Sequence, residues 1–302
     1  MAERGRASPS FRVVISAEAS GYMAWQAKLA HYSCLTRLQH APLVVVHEGD
    51  EEALDVFSEI EGTGGYVLPA PSYRMTARGR DYAVRNAAGT LLEAARVVSP
   101  DVDYLVLCDP DVVFVRPLPL GGSLAAAASG YLDYAERPVR AAMRRLGIAP
   151  PRLGAPHGGR LRCGVPYVIP RFLAKPLALA WLEAIDAFPR PRWEDMMYAF
   201  GLAVLRLKVP LRRLPLADTN YYPDAPVRAP VVHYCYDNEL WSKRRFASRR
   251  TVQRVWSPPE GALPGSVLAA VLGQLSAARR FYAAARNSNT IPAVKGEELC
   301  TH

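Results

Sequence analysis

The chain has 302 residues, half of them hydrophobic and 22% charged, with a formal charge of +9 at pH 7, the profile of an ordinary globular protein able to bury one sizeable core or two fused lobes. No apolar run reaches the roughly eighteen residues of a membrane span, and the start, MAERGRASPSFRVVISA, passes from a polar arm straight into a β-like run, so neither a secretion signal nor a membrane anchor is expected. Cys34, Cys108, Cys163, Cys235 and Cys300 are scattered and never spaced C-x-x-C, which indicates neither a disulfide framework nor a zinc knuckle and makes a reducing cytoplasm the expected compartment.

In chain order, a polar arm (1–10) precedes a β-branched run at 11–17 (FRVVISA). Similar runs follow at 42–47 (PLVVVH) and 104–108 (YLVLC), with helical spacing between them at 25–38 and an alanine-rich, proline-free segment at 82–98. Strands alternating with helices predict an α/β protein with a mostly parallel central sheet. Beyond residue 117 come a small-residue run (GGSLAAAASG), a helix at 138–146 and a Pro/Gly-rich loop at 147–159. A strand is then expected at 161–169, helices at 172–188 and 193–207, a strand at 231–234 (VVHY), a basic stretch at 243–254 and a helix at 267–286. This divides the chain into a first half (11–117), a second half (118–260), and a C-terminal helix with a polar tail (261–302).

The sharpest local signal is Asp109-Pro110-Asp111, at the end of YLVLC and just ahead of a second apolar run, VVFV. Two carboxylates one residue apart at a strand end can share a hard divalent cation, which in turn bridges the phosphates of a nucleotide donor. Asp and Pro are also common turn formers, so the motif alone is equally a tight turn. His233, on the apolar VVHY run, is either a packed core residue or a third ligand. Glu194 and Asp195, after Trp193, stand where acids favour a helix N-terminus, or where one serves an acceptor hydroxyl as base or orienting acceptor. Lys243, after Trp241-Ser242, either reaches a diphosphate or belongs to a solvated basic run.

Taken together, these landmarks resemble the GT-A fold glycosyltransferases that include plant hydroxyproline O-arabinosyltransferases and peptidyl-serine galactosyltransferases. The resemblance runs through Ser16-Ala17-Glu18, Tyr22, Trp25-Gln26, Pro71-Ser72, Tyr82 and Arg85-Asn86-Ala87-Ala88-Gly89 to Asp109-Pro110-Asp111 and Arg116-Pro117-Leu118. It continues with Gly130-Tyr131-Leu132, Gly158-Gly159, Asp195-Met196, Tyr221-Tyr222-Pro223, His233-Tyr234 and Trp241-Ser242. It implies a UDP-sugar donor, Mn²⁺ or Mg²⁺ held by Asp109, Asp111 and His233, and a nucleotide pocket formed by Ser16, Glu18, Trp25, Gln26 and Asn86 with Lys243. It further implies that Asp195, with Glu194 beside it, faces the sugar and acceptor, and that the anomeric configuration is retained. It makes 11–117 the nucleotide-binding half and 118–260 the acceptor half; Pro110 departs from the pattern, the 133–157 stretch has no counterpart in it, and the secretory anchor usual in that family is not expected here.

The expected reaction is transfer of a pentose or hexose to a hydroxyl of a peptide or metabolite. Two alternatives remain open at this point. One is transfer to a hydroxymethylated base in DNA, for which Arg137, Arg140, Arg144, Arg145, Arg152, Arg160 and Arg162 would supply a basic surface. The other is a nucleotide-sugar-binding protein without catalysis. A nucleotidyltransferase fits less well, because 11–22 carries no glycine-rich phosphate loop.

Overall fold

The structure is a computed structural model, and it describes residues 9–49, 51–118, 120–129, 132–149, 161, 163–214 and 221–287. Most of the N-terminal arm, Gly130-Tyr131, Gly158-Gly159, Arg152, Arg160, Arg162 and the tail from 288 lie outside the described residues.

Strands β1 (Phe11–Glu18), β2 (Leu43–His47), β3 (Tyr66–Ala70) and β4 (Tyr104–Cys108) form a parallel block in a seven-stranded sheet of order β3-β2-β1-β4-β7-β6-β8. The other half is β6 (Ala125–Ala128), β7 (Cys163–Pro170) and β8 (Arg212–Arg213). Strand β7 runs antiparallel to both β4 and β6, whereas β8 is parallel to β6. Strands β1, β2 and β4 are covered on both faces, which is why they read as unbroken apolar runs rather than alternating ones.

On one face lies α4 (Asn86–Val97), packed on β1 and β2 and against α6 (Arg171–Asp186), which in turn packs on α7 (Asp195–Leu207). Trp181, Tyr167 and Phe200 interlock there with centroids 4.3–5.4 Å apart. Each such fully buried side chain contributes about 1.5–3 kcal/mol of transfer free energy.

A second core stands beside the sheet. Helix α1 (Gly21–Ser33) starts earlier than its apolar spacing suggests, because the Ser20 hydroxyl accepts from the Met23 amide and caps it. It packs against the C-terminal helix α8 (Val267–Asn287) and against a separate two-stranded ribbon, β5 (Val112–Phe114) with β9 (Val231–His233). Trp25, Leu29, Val113, Val232, Tyr234, Trp241, Val271 and Leu275 fill this cluster. His31 is fully buried within α1 and meets the Tyr282 hydroxyl of α8 at 2.7 Å, and burial pushes its imidazole down to about 3. Helix α8 is therefore packed into the body of the protein.

Four features differ from the sequence expectations. Strand β3 contains Pro69, which a sheet tolerates only because this strand is an edge. The alanine run is strand β6, where pairing on both sides overrides alanine's helical preference. The helix expected from residue 82 is α4 from Asn86, preceded by a 3₁₀ turn at Ala83–Arg85. The basic stretch folds as two 3₁₀ turns, Lys243–Phe246 and Val252–Trp256. The remaining described elements are α2 (Glu51–Asp55), α3 (Ser58–Glu61) and α5 (Arg137–Arg145), and no described helix is long and apolar enough to cross a membrane.

Gly89 of α4 lies under the Tyr73 ring, so a Cβ there would stand 2.2 Å from the ring edge. Gly89→Ala is therefore expected to lower the thermal midpoint, at a cost of about 1–3 kcal/mol. Gly273→Ala, on a helical position where an added Cβ meets nothing within 4 Å, is the control and should be neutral or stabilising by up to about 1 kcal/mol. Thermal unfolding of the two variants beside the parent checks both.

Candidate functional site

In parallel sheets ligands gather at the carboxyl ends of the strands, and here that edge carries Glu18 at the end of β1, His47 at the end of β2 with Glu48 after it, and Asp109 after β4. The chain turns at Asp109-Pro110 and enters β5, with Asp111 at the turn's exit. Antiparallel pairing of β5 with β9 sets Val112 opposite His233, and the Tyr234 amide donates to the Asp111 carbonyl at 3.2 Å. The consequence is that His233 Nε2 lies 3.2 Å from Asp111 Oδ1 and 3.9 Å from Asp109 Oδ2. One ligand atom from each of the three side chains lies within 4.8 Å of the others, the only such group among the described residues.

A fourth charge completes the cluster. Ser242 caps the turn Lys243–Phe246 by accepting from the Arg244 amide, and Asp237 holds both Ser242 and the Arg244 guanidinium. That turn aims the Lys243 ammonium at Asp111 Oδ2, to which it donates.

Burial raises the Asp111 carboxyl, but the opposing pull of His233 and Lys243 wins, and the group is held well below the ordinary carboxylate range. Asp109 is pushed up to about 6, first by desolvation and then by the neighbouring Asp111 charge. Burial disfavours the charged His233 ring, yet Asp111 and Asp109 outweigh it and raise the imidazole. Lys243 is likewise raised, with Asp111 overcoming the penalty of burial.

Two carboxylates and one imidazole are a donor set suited to Mn²⁺ or Mg²⁺. The atoms facing one another are the ones a cation would need, while His233 Nδ1 is buried and has no hydrogen-bond partner among the described residues. These residues fit a divalent metal.

Of the other residues singled out by sequence, Glu18 and Asn86 meet at 3.3 Å, and the Asn86 carbonyl accepts from the Tyr73 amide at 2.8 Å. Ser16 Oγ lies 2.8 Å from Thr90 Oγ1, which is 2.7 Å from His47 Nε2, so this hydroxyl belongs to an internal polar chain. Trp25 and Gln26 are each 1% exposed. Trp25 stacks on Tyr234 at 6.1 Å and touches Trp241 and Phe246, so it supports the strand that carries His233, while the Gln26 amide donates to the Tyr22 carbonyl.

Asp195 is 1% exposed and accepts from the Arg192 amide at 2.7 Å and from its guanidinium at 3.0 Å. Glu194 and Glu136 also pair with Arg192, at 3.2 and 2.8 Å. Burial raises the Asp195 carboxyl and Arg192 opposes it. Asp195 shares no hydrogen bond or ion pair with Asp109, Asp111 or His233, and its observed bonds are those of a loop closed at the start of α7.

Sequence reasoning missed Glu48 and Arg74. The Arg74 guanidinium pairs with Asp81 at 2.7 Å, with Glu48 at 3.2 Å and with Glu18 at 3.8 Å, crossing the sheet edge beside Asn86. Glu48 was findable, since it directly follows a parallel strand. Arg74 sits in a loop whose composition carries no signal.

No protein-family model matches the chain, and no curated protein does. Among solved structures the chain is similar to the galactosyltransferase LgtC in complex with donor and acceptor sugar analogues, at 14% identity and a TM-score of 0.50, over 88% of this chain and 96% of that one. It is also similar to WbbM, a bifunctional glycosyltransferase, at 13% identity and a TM-score of 0.47, where 80% of this chain spans about half (48%) of that one. The glycosyltransferase GlyE of Streptococcus pneumoniae gives 14% identity and a TM-score of 0.44 over 87% of this chain and 63% of its own. The fold is GT-A, the nucleotide-diphospho-sugar transferase architecture.

A carboxyl whose folded pKa is raised costs stability when ionised. For Asp109, moved from an ordinary 3.8 up to about 6, the cost is absent below pH 4, grows between 4 and 6, and is complete above 6. Asp109→Asn should therefore raise the midpoint of the metal-free protein at pH 7.5 by the equivalent of about 1–2 kcal/mol, discounted because the side chain is 32% exposed. The gain should vanish near pH 3.5, and thermal melts across that range measure it.

Proposed function

We propose that the chain is a metal-dependent glycosyltransferase that moves a pentose or hexose from a UDP-sugar to a hydroxyl on a peptide or metabolite, with retention and in a cytoplasmic setting. The observation that supports this most is the convergence of Asp109, Asp111 and His233 at the carboxyl edge of a GT-A sheet. Those three residues would hold Mn²⁺ or Mg²⁺, which when bound neutralises charge on a departing diphosphate.

The chain's own residues supply the rest. Lys243 adds a fixed positive charge beside Asp111, close enough to take up a phosphate oxygen once a cation satisfies that carboxylate. Glu18 and Asn86, with Ser16 below them, border the same strand ends and are suited to uracil and ribose, whose amide and hydroxyl groups need such partners. Trp25 and Gln26 act from beneath, holding α1 and Tyr234 in place. In a retaining reaction the departing phosphate itself can take the acceptor's proton, so Asp195 is assigned to positioning and Glu194 to holding Arg192 in place.

Among the described residues the DNA alternative draws on α5, where Arg137, Arg140, Arg144 and Arg145 are exposed. One basic helix face is the ordinary solvated surface of an arginine-rich protein. Unchanged duplex binding after neutralising Arg144 and Arg145 would remove that reading.

Manganese-dependent release of UDP from a panel of UDP-sugars is the direct test. It should be abolished by chelation and reduced at least about 100-fold by Asp111→Ala; undiminished turnover in that variant rejects the metal role. His233→Ala should chiefly weaken donor use, and Asp195→Asn should chiefly lower the transfer rate, a division read from KM against kcat.

A further inference from the structure

A chain of three tyrosine rings runs outward from the candidate metal group. The Tyr221 ring is 5.6 Å from the His233 ring and meets Tyr236 edge-on at 6.3 Å. Tyr236 in turn stacks on Tyr222, with centroids 5.4 Å apart and planes only 9° from parallel. The outer two are not core residues: Tyr222 is 67% exposed and Tyr236 47%. Two large rings exposed together form an apolar patch, and because they stack on each other the outward ring face is held rigid at little conformational cost.

The surface next to these rings is polar. Tyr222 leads into Asp224 and Tyr236 into Asp237, and an open groove of about 730 Å³ is lined by Asp224, Asp237, Asn238, Glu239 and Leu240. The two loops are tied by the Asn238 amide, which donates to both Asp224 oxygens at 3.1 and 3.2 Å, while its own carbonyl accepts from the Leu240 amide at 2.8 Å. Asp237 is held by Ser242 and Arg244, the residues that shape the turn bearing Lys243. The Glu239 carboxylate has no partner among the described residues. Tyr221 thus links the ring pair to His233, and Asp237 links the groove to the turn that carries Lys243.

A flat aromatic face beside fixed carboxylates and an amide matches one class of molecule best. A sugar ring lays its apolar C–H face on an aromatic ring and turns its hydroxyls, each a donor, toward acceptor oxygens at the rim. A nucleic acid is disfavoured, because Asp224, Asp237 and Glu239 would face its phosphates. An extended peptide needs a free strand edge, and neither wall of the groove is a strand.

We propose that Tyr222 and Tyr236 form the acceptor platform and that the acceptor is itself a saccharide, stacked on these rings with its hydroxyls toward the Asp224–Glu239 groove. The inference rests on the glycosyltransferase reading and narrows its acceptor from any hydroxyl to a sugar hydroxyl.

The test uses the full chain with Mn²⁺ and UDP, carrying ¹³C-labelled tyrosine rings. It is titrated with methyl glycosides of glucose, galactose and mannose, with maltose and cellobiose, and with an N-acetylated hydroxyproline peptide. The expected result is a saturable shift of the Tyr222 and Tyr236 ring signals with a saccharide and none with the peptide. Tyr222→Leu and Tyr236→Leu should weaken that binding about tenfold and Tyr222→Phe should keep it, since stacking needs the ring and not the hydroxyl. Absence of a shift with every saccharide, equal affinity in the leucine variants, or a response to the peptide alone overturns the proposal. A thermal midpoint raised by Mn²⁺ with UDP in all variants shows that the donor side is intact, so failure there would count against the glycosyltransferase reading instead.

Discussion

Two like charges one residue apart, at the mouth of a buried strand, can be kept only if opposite charge is brought to them, and in this protein it comes from more than a hundred residues away. The pairing of β5 with β9 performs that task. It places His233 against both aspartates, and the 3₁₀ turn that follows supplies Lys243. Without the ribbon, Asp109 and Asp111 would face each other with desolvation adding to their repulsion. The second core exists around this constraint: Val113 and Val232 point inward from the ribbon, and Trp25, Trp241 and α8 close over them.

This explains how the chain divides its labour. The seven-stranded sheet and its helices form a large apolar core that needs no partner charge, and the strand ends there are set by ordinary burial. The ribbon is short and would be marginal alone. It is held by aromatic packing from α1 and by the Phe114 backbone, whose amide donates to Ser33 Oγ and whose carbonyl accepts from the Gln274 amide. A tryptophan buried to within 1% of its surface can therefore matter to a site it does not touch, because it packs against the strand that carries His233.

Much of this was readable from residues alone. Strands β1, β2 and β4 announce themselves as unbroken β-branched runs, and α4 as an alanine-rich segment free of proline. The aspartate pair stands out because it interrupts an apolar run. Strand β3 was hidden by Pro69, and β6 by four alanines, since in both a local rule points away from the strand that sheet position permits. At the site, His233 was recognisable from its setting, but the contact between Lys243 and Asp111 depends on a turn that charge patterning reads as a solvated run. Trp25 and Gln26 were marked as important, although burial gives them a different kind of importance from contact. Asp195 stands where acids favour a helix start, but its bonds run back to Arg192 and not to the amides of α7. The ring pair of Tyr222 and Tyr236 joins two loops, and nothing local in either shows that they meet.

The ammonium on Asp111 also bears on how such a centre fills. An ion entering between these carboxylates would not drop into a vacant negative hole; it would trade places with a counter-ion tethered to the chain. Occupancy would then be an exchange, in which the released lysine could turn toward an anion arriving with the metal, and the positive charge would be lent to that ligand only once a dication had taken over its post.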